Sequence, residues 1–152
     1  MERATLSETA TTDGLPKPAR YRAMAVVILG IVLAVLDGTI VNLALPIITH
    51  DFAASAAQAI WVINAYQIAI LAFLLPCAAL GDLYGYRRVY LGGLALFTLA
   101  SLGCAFASSL PELAAIRAIQ GLGAAGIMSV NAALVRLIYP RAQLGRGVAI
   151  NS

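Results

Sequence analysis

Long stretches of this chain carry no charged side chain. There is none from Ala23 to Leu36, and after Asp37 none until His50 and Asp51. Phe52 to Gly81 and Val89 to Pro111 are charge-free, and Leu113 to Val135 holds a single charge, Arg117. An α-helix needs roughly 20 apolar residues to cross the hydrocarbon core of a bilayer, at about 1.5 Å rise per residue. The pattern therefore predicts an all-α membrane protein with crossings near 23–48, 57–80, 89–109 and 111–134, and a fifth opening from about 146. Membrane strands are a poor alternative, because the runs are far too long and lack alternation. Residues 21–152 read as a partial transmembrane domain.

Composition agrees. Only 11% of the 152 residues are charged and 61% are hydrophobic, against about 25% charged in a soluble domain. That is too few charges to cover a water-facing surface, which argues against a soluble enzyme or a nucleic-acid-binding module. Residues 1–20 differ: rich in Thr, Ser and Pro, they read as a disordered tail. The apolar run that follows is too long for a cleavable signal.

The placement of the basic residues predicts an orientation. Arg3, Lys17, Arg20 and Arg22 precede the first crossing, Arg87 and Arg88 lie between the second and third, and Arg136, Arg141 and Arg146 follow the fourth. These alternate segments share one side and hold nine of the ten basic residues. The opposite links, near 48–57 and 108–112, hold none. The positive-inside rule puts the N-terminus and the 81–88 link in the cytoplasm.

Two charges fall inside crossings. Asp37 lies mid-way along its apolar run, where a carboxylate costs about 2.5–3.5 kcal/mol on insertion scales. Such a group faces a cavity or a partner rather than lipid. Arg117 lies roughly 8–10 Å in from the outer end of the fourth crossing and Asp37 about 15 Å from the outer end of the first. The offset is about one arginine side chain, so a pair, direct or through water, is geometrically open. Burial disfavours the charged carboxyl and a guanidinium favours it, and a group balanced between them can exchange protons. The alternative is a structural ion pair. Further polar candidates for the same path are Asn42, Asn64, Gln67 and Gln120. Asn64 and Gln67 are three apart on one face of the second crossing, and Gln120 follows Arg117 by three.

Gly121, Gly123 and Gly126 spell G-x-G-x-x-G, but no strand precedes them and no acid follows at the required distance, so a dinucleotide site is rejected. Gly121, Ala125 and Ser129 instead form a small-residue ridge suited to close helix packing, and Ala65, Ala69 and Ala72 form another. Pro46 and Pro76 are expected near helix ends. In the link G-D-L-Y-G-Y-R-R (81–88), Gly85 suits a turn, and Asp82 at a helix C-terminus calls for a cation from Arg87 or Arg88. With His50 the only histidine, no metal centre or cofactor is expected. The two cysteines, Cys77 and Cys104, fall in opposite leaflets, too far apart for a disulfide.

The link "ALGDLYGYRRVYL" (79–91) resembles the signature between helices two and three of the major facilitator superfamily, matching at Leu80, Asp82, Gly85, Arg87 and Leu91. "LAAIRAIQGLGAAGI" (113–127) resembles its helix-four signature at Arg117, Gln120, Gly121, Gly123, Ala124 and Ala125. "LDGTIVNLALP" (36–46) and "WVINAYQIA" (61–69) are similar to the first and second helices of the fourteen-helix drug:proton antiporters. The resemblance implies a multi-pass plasma-membrane carrier that exports drugs or related small amphipathic molecules in exchange for protons. It implies that Arg117 assists proton transfer, that Asp37 lies on the proton or substrate path, and that Asp82, Gly85, Arg87 and Arg88 gate alternating access. Such carriers have twelve or fourteen helices in two halves, so this chain is expected to be an N-terminal fragment whose partners are the remaining helices, the lipid bilayer, protons and a small-molecule substrate. The rival readings are a complete four-helix multidrug exporter acting as a dimer, and a non-transporting membrane scaffold subunit. Neither an enzyme nor a nucleic-acid partner is expected.

Overall fold

The computed structural model describes residues 15–139. They form four helices, α1 (Lys17–Asp51), α2 (Ala56–Tyr84), α3 (Tyr86–Cys104) and α4 (Leu110–Ile138). Three of them, α1, α2 and α4, are long and apolar enough to cross a membrane. α3 is shorter than the expected 89–109. It begins at Tyr86, so Arg87 and Arg88 occupy its first turn, and the charge-free part runs from Val89 to Cys104, about 24 Å at the helical rise. A fifth helix from about 146 lies outside the described residues, as do residues 1–14.

The start of α1 corrects one expectation. Lys17 to Arg20, expected in an unstructured tail, are the first turn of α1. The prolines that read as helix breakers start the helix instead: a proline in the first turn lacks only an N–H that would have no intrahelical partner, and its φ is already helical. The turn is also tied down. The Leu15 N–H donates to the Ile138 carbonyl at 3.2 Å, and Arg20 donates through Nε and Nη2 to the Leu15 carbonyl at 3.1 and 3.0 Å. The Arg20 guanidinium lies 5.6 Å from the centre of the Tyr139 ring. The beginning of α1 is thereby clasped to the end of α4.

Local chemistry sets the other ends. α1 closes in a Schellman motif, with Ala54 N–H on the Thr49 carbonyl at 3.0 Å and Ala53 N–H on the His50 carbonyl at 3.2 Å. Its left-handed position is filled by Ala53, φ 46°, rather than glycine. α2 opens with a capping box: the Ser55 hydroxyl accepts from Gln58 N–H, and Gln58 Oε1 accepts from Ser55 N–H at 2.9 Å. Ser109 caps α4 by accepting from Glu112 N–H. Pro46 and Pro76 lie inside α1 and α2; α2 runs about two turns past Pro76.

The 81–88 segment is hardly a loop. Gly85 alone separates α2 from α3, at φ 95° and ψ 131°, a conformation that residues with a Cβ avoid. Asp82 is in the last turn of α2, and Arg87 and Arg88 are in the first turn of α3. The expected Asp82–arginine pair is absent among the described residues. Asp82 instead accepts a hydrogen bond from the Tyr86 hydroxyl at 2.6 Å, across the Gly85 break, while both arginines are exposed. That bond pushes the Tyr86 phenol above its ordinary pKa, so it remains a donor.

α4 is the centre of the bundle, packed against α2 on one side and α3 on another, while α1 lies along α4 and α2. Glycine permits the closest approaches. A Cβ on Gly123 would stand 2.6 Å from the Phe97 amide nitrogen and 2.8 Å from the Gly93 carbonyl, both backbone atoms of α3. One on Gly121 would meet the Tyr66 carbonyl and the Ala69 side chain of α2. Of the expected ridge, Gly121 and Ala125 are buried and Ser129 is half-buried, its hydroxyl turned onto its own helix at the Gly126 carbonyl. The second ridge is reduced to Ala69, since Ala72 is exposed and Ala65 half-buried. Gly123 and Gly126, set aside as a false nucleotide motif, form the seam with Gly93 of α3. α3 is also tied to α1 by the Tyr90 hydroxyl, which donates to the Val26 carbonyl at 2.9 Å beside Gly30.

Candidate functional site

Asp37 sits mid-way along α1, where α1 passes α4. Arg117 is two turns into α4 on its buried side, 3% exposed against 14% for the Asp37 side chain. Arg117 Nη1 donates to Asp37 Oδ2 at 2.6 Å and also to Gln120 Oε1 at 2.7 Å. Gln120 Nε2 donates to Asp37 Oδ1 at 2.8 Å. The three side chains close a ring in which each carboxylate oxygen has a donor. The i, i+3 spacing of Arg117 and Gln120 makes this possible, because it puts both on one face of α4. A charge-assisted ring of this kind offsets desolvation only while complete; removing one partner of a buried pair costs about 3–5 kcal/mol.

Two residues join the ring that sequence reasoning did not place there. The Tyr66 ring of α2 lies under the Arg117 guanidinium, 4.2 Å from Cζ to the ring centre. The Cys104 thiol at the end of α3 lies 3.7 Å from Gln120 Oε1. All four helices therefore meet at this site. Tyr66 could have been suspected from its place three residues before Ala69 and one before Gln67, on a helix expected to neighbour α4. Nothing in the sequence marks Cys104.

The polar candidates separate. Asn42 and Gln67 are exposed, and both line a cavity of 220 Å³ with Gly38, Tyr66 and Arg117. Asn42 spends its amide on the Gly38 carbonyl of its own helix, at 2.9 Å. Asn64 is exposed and does not line that cavity. Asp82, Gly85, Arg87 and Arg88 gather at the α2–α3 corner, remote from the ring, with both arginines exposed. Among the described residues no cluster of side chains could hold a metal ion.

What the site can do chemically follows from its parts. It holds one ionisable acid, a fixed cation and a neutral amide that can turn either way. Protonating Asp37 removes the charge that Nη1 and Nε2 point at, and the arginine must then find another acceptor. A proton and a cationic solute thus compete for the same carboxylate.

The profile of the Major Facilitator Superfamily matches residues 27–152. The chain belongs to this superfamily. It is 56% identical over 140 residues to the uncharacterized transporter YebQ of Escherichia coli (strain K12), a match covering 92% of this chain and 31% of that protein. It is 43% identical over 115 residues to the multidrug resistance protein Stp of Mycobacterium tuberculosis (strain CDC 1551 / Oshkosh), covering 76% of this chain and 21% of the relative. It is 36% identical over 138 residues to the multidrug efflux pump LfrA of Mycolicibacterium smegmatis, covering 91% and 27%. The chain thus spans about a third or less of these relatives. The family and the apolar helices make this superfamily member a multi-pass membrane protein.

Proposed function

We propose that this chain works as part of a longer carrier that exports small amphipathic compounds, drugs among them, in exchange for protons by alternating access. The observation that carries the reading is the closed ring of Asp37, Arg117 and Gln120 within membrane-spanning helices, beside a cavity lined by Asn42 and Gln67. A carboxylate kept in oil is costly, and intramembrane acids mark ion pathways. In this reading Asp37 is the proton acceptor and Arg117 is its counter-charge. Gln120 shares the donor load, and a cationic solute occupies the cavity while Asp37 is ionised and leaves it when Asp37 takes up a proton. The names of Stp and LfrA favour drugs as the cargo.

The same reading has α3 as a fourth crossing, its short apolar part completed by Arg87 and Arg88 reaching to the cytoplasmic interface, where long basic side chains extend toward water. It places the N-terminus and the α2–α3 corner in the cytoplasm, in accord with the positive-inside rule. The corner of Asp82, Gly85, Arg87 and Arg88 then gates the inner side.

The test is efflux of a lipophilic cationic dye from cells producing the complete carrier, with and without a protonophore. Loss of efflux on collapse of the proton gradient, with ATP maintained, supports the proposal. Efflux that survives the collapse contradicts it.

A further inference from the structure

The Asp37–Arg117 ring has a weakness in its own hydrogen bonding. Both side-chain bonds of Arg117 leave from one nitrogen, Nη1. Its Nε is buried without a hydrogen-bond partner among the described residues. Two bonds from a single atom fix that atom but leave the guanidinium plane free to turn about it. The plane is held by something else. Tyr66 lies under it at 4.2 Å, is itself only 5% exposed, and is locked by its backbone: the Tyr66 carbonyl lies against Gly121, one turn along α4 from Arg117, where no Cβ intervenes. The Tyr66 hydroxyl is also buried without a hydrogen-bond partner among the described residues, so the ring and not the phenol oxygen makes the contact.

We propose that Tyr66 is a positioning residue for the ion pair: its aromatic face clamps the Arg117 guanidinium on α2, so that protonation of Asp37 releases α1 from a cation that stays in place. The inference rests on the coupling role proposed above for Asp37. The physical basis is the attraction between a cation and the negative face of an aromatic ring, which is strongest where water is excluded. A clamped cation acts on the acid at fixed distance; a loose one spends part of its time turned away, and the ion pair then opens more readily as the pH falls. The groups facing Asp37 are Arg117 and Gln120 from α4, with Tyr66 from α2 and Cys104 from α3 behind them, so no second fixed charge among the described residues masks the effect.

The test keeps shape constant and varies only the ring's electron density. In the complete carrier, Tyr66 is replaced by phenylalanine and then by mono-, di- and trifluorophenylalanine. Proton-driven dye transport is measured against pH for each. Tyr66→Phe is expected to keep the original pH midpoint, whatever its effect on rate, because the hydroxyl has no hydrogen-bond partner among the described residues. Progressive fluorination is expected to move the midpoint toward alkaline pH by up to about one unit, the equivalent of a cation–π contact of about 1.4 kcal/mol. Tyr66→Leu, at equal abundance in the membrane, is expected to match the trifluorinated ring. A midpoint unchanged across the fluorinated series overturns the clamp, since packing alone is preserved in it. A Tyr66→Phe profile as shifted as that of Tyr66→Leu also overturns it and assigns the role to the hydroxyl. Asp37→Asn in parallel separates the two claims. If that variant still couples to protons, the role of Asp37 fails; if it is uncoupled while the ring series is flat, only the clamp fails.

Discussion

α1 and α4 carry the two halves of the ion pair, and they are held in opposite ways. α4 has buried positions spread from Leu113 to Ile138, five of them consecutive from Gly123 to Ile127. Among the residues whose burial is described, α1 is buried only at Met24, Val27, Gly30 and Ala34, and none from Val35 to Asp51 is buried. The cation is therefore fixed on the rigid element and the acid on the loosely held one. The half of α1 that carries Asp37 is joined to α4 by the Asp37–Arg117 bond, the one that a proton opens in the proposed coupling. Its other half is clasped by Arg20, Leu15 and Tyr90, which protonation of Asp37 does not touch. A helix anchored at one end and latched by a titratable group at the middle can swing about the anchor.

The sharpest way to break this comparison is to overfill the seam of α4. Gly123→Val puts branched carbon onto α3 backbone that cannot move aside, and is expected to cost about 3 kcal/mol or more, read as loss of folded carrier in thermal-stability measurements in detergent. Gly38→Ala on α1, where a Cβ meets nothing within 4 Å, is expected to leave thermal stability unchanged or slightly raised, since alanine favours the helix by up to about 1 kcal/mol. Equal losses from the two variants would show that the helices are not held differently.

Next in size is Arg117→Lys. It keeps the charge but loses the planar group that stacks on Tyr66 and spans Asp37 and Gln120. Losing one charge-assisted hydrogen bond costs about 1.5–3 kcal/mol, so proton-driven transport is expected to fall about tenfold or more. Transport rates in vesicles check this, and an unchanged rate would reduce the arginine to a counter-charge. The smallest effect has the opposite sign. Ala53→Gly relieves a left-handed alanine at the end of α1 and is expected to stabilise by up to about 1 kcal/mol, a small upward shift in melting temperature without change in transport.

The same contrast explains what could be read from sequence. α1, α2 and α4 follow from unbroken apolar runs, whose length is the signal. α3 departs from its apolar run at both ends: the first turn of the helix accommodates Arg87 and Arg88, and the helix stops at Cys104 although the run continues to Pro111. Lys17 to Arg20 were misjudged for a related reason: prolines mark a helix start as readily as a break. Asp37 and Arg117 stand out as the only charges well inside apolar runs, and their offset along two helices limits how they could meet. Tyr66 and Cys104 gave no comparable sign, being apolar-compatible residues in apolar helices. The partner of each glycine was equally hidden, since composition shows that α4 allows close approach but not that Gly121 faces α2 while Gly123 and Gly126 face α3. The corner pairing of Asp82 went to Tyr86, a choice set by side-chain reach that charge counting misses.

The most direct measurement is proton movement itself. In inside-out vesicles holding the complete carrier and a preformed pH gradient, addition of a transported dye should release protons with the native chain and not with Asp37→Asn, while Asp37→Asn still exchanges labelled for unlabelled dye at equal concentration on both sides. Dye-induced proton release that persists in Asp37→Asn would contradict the assignment of the α1 carboxyl as the coupling group.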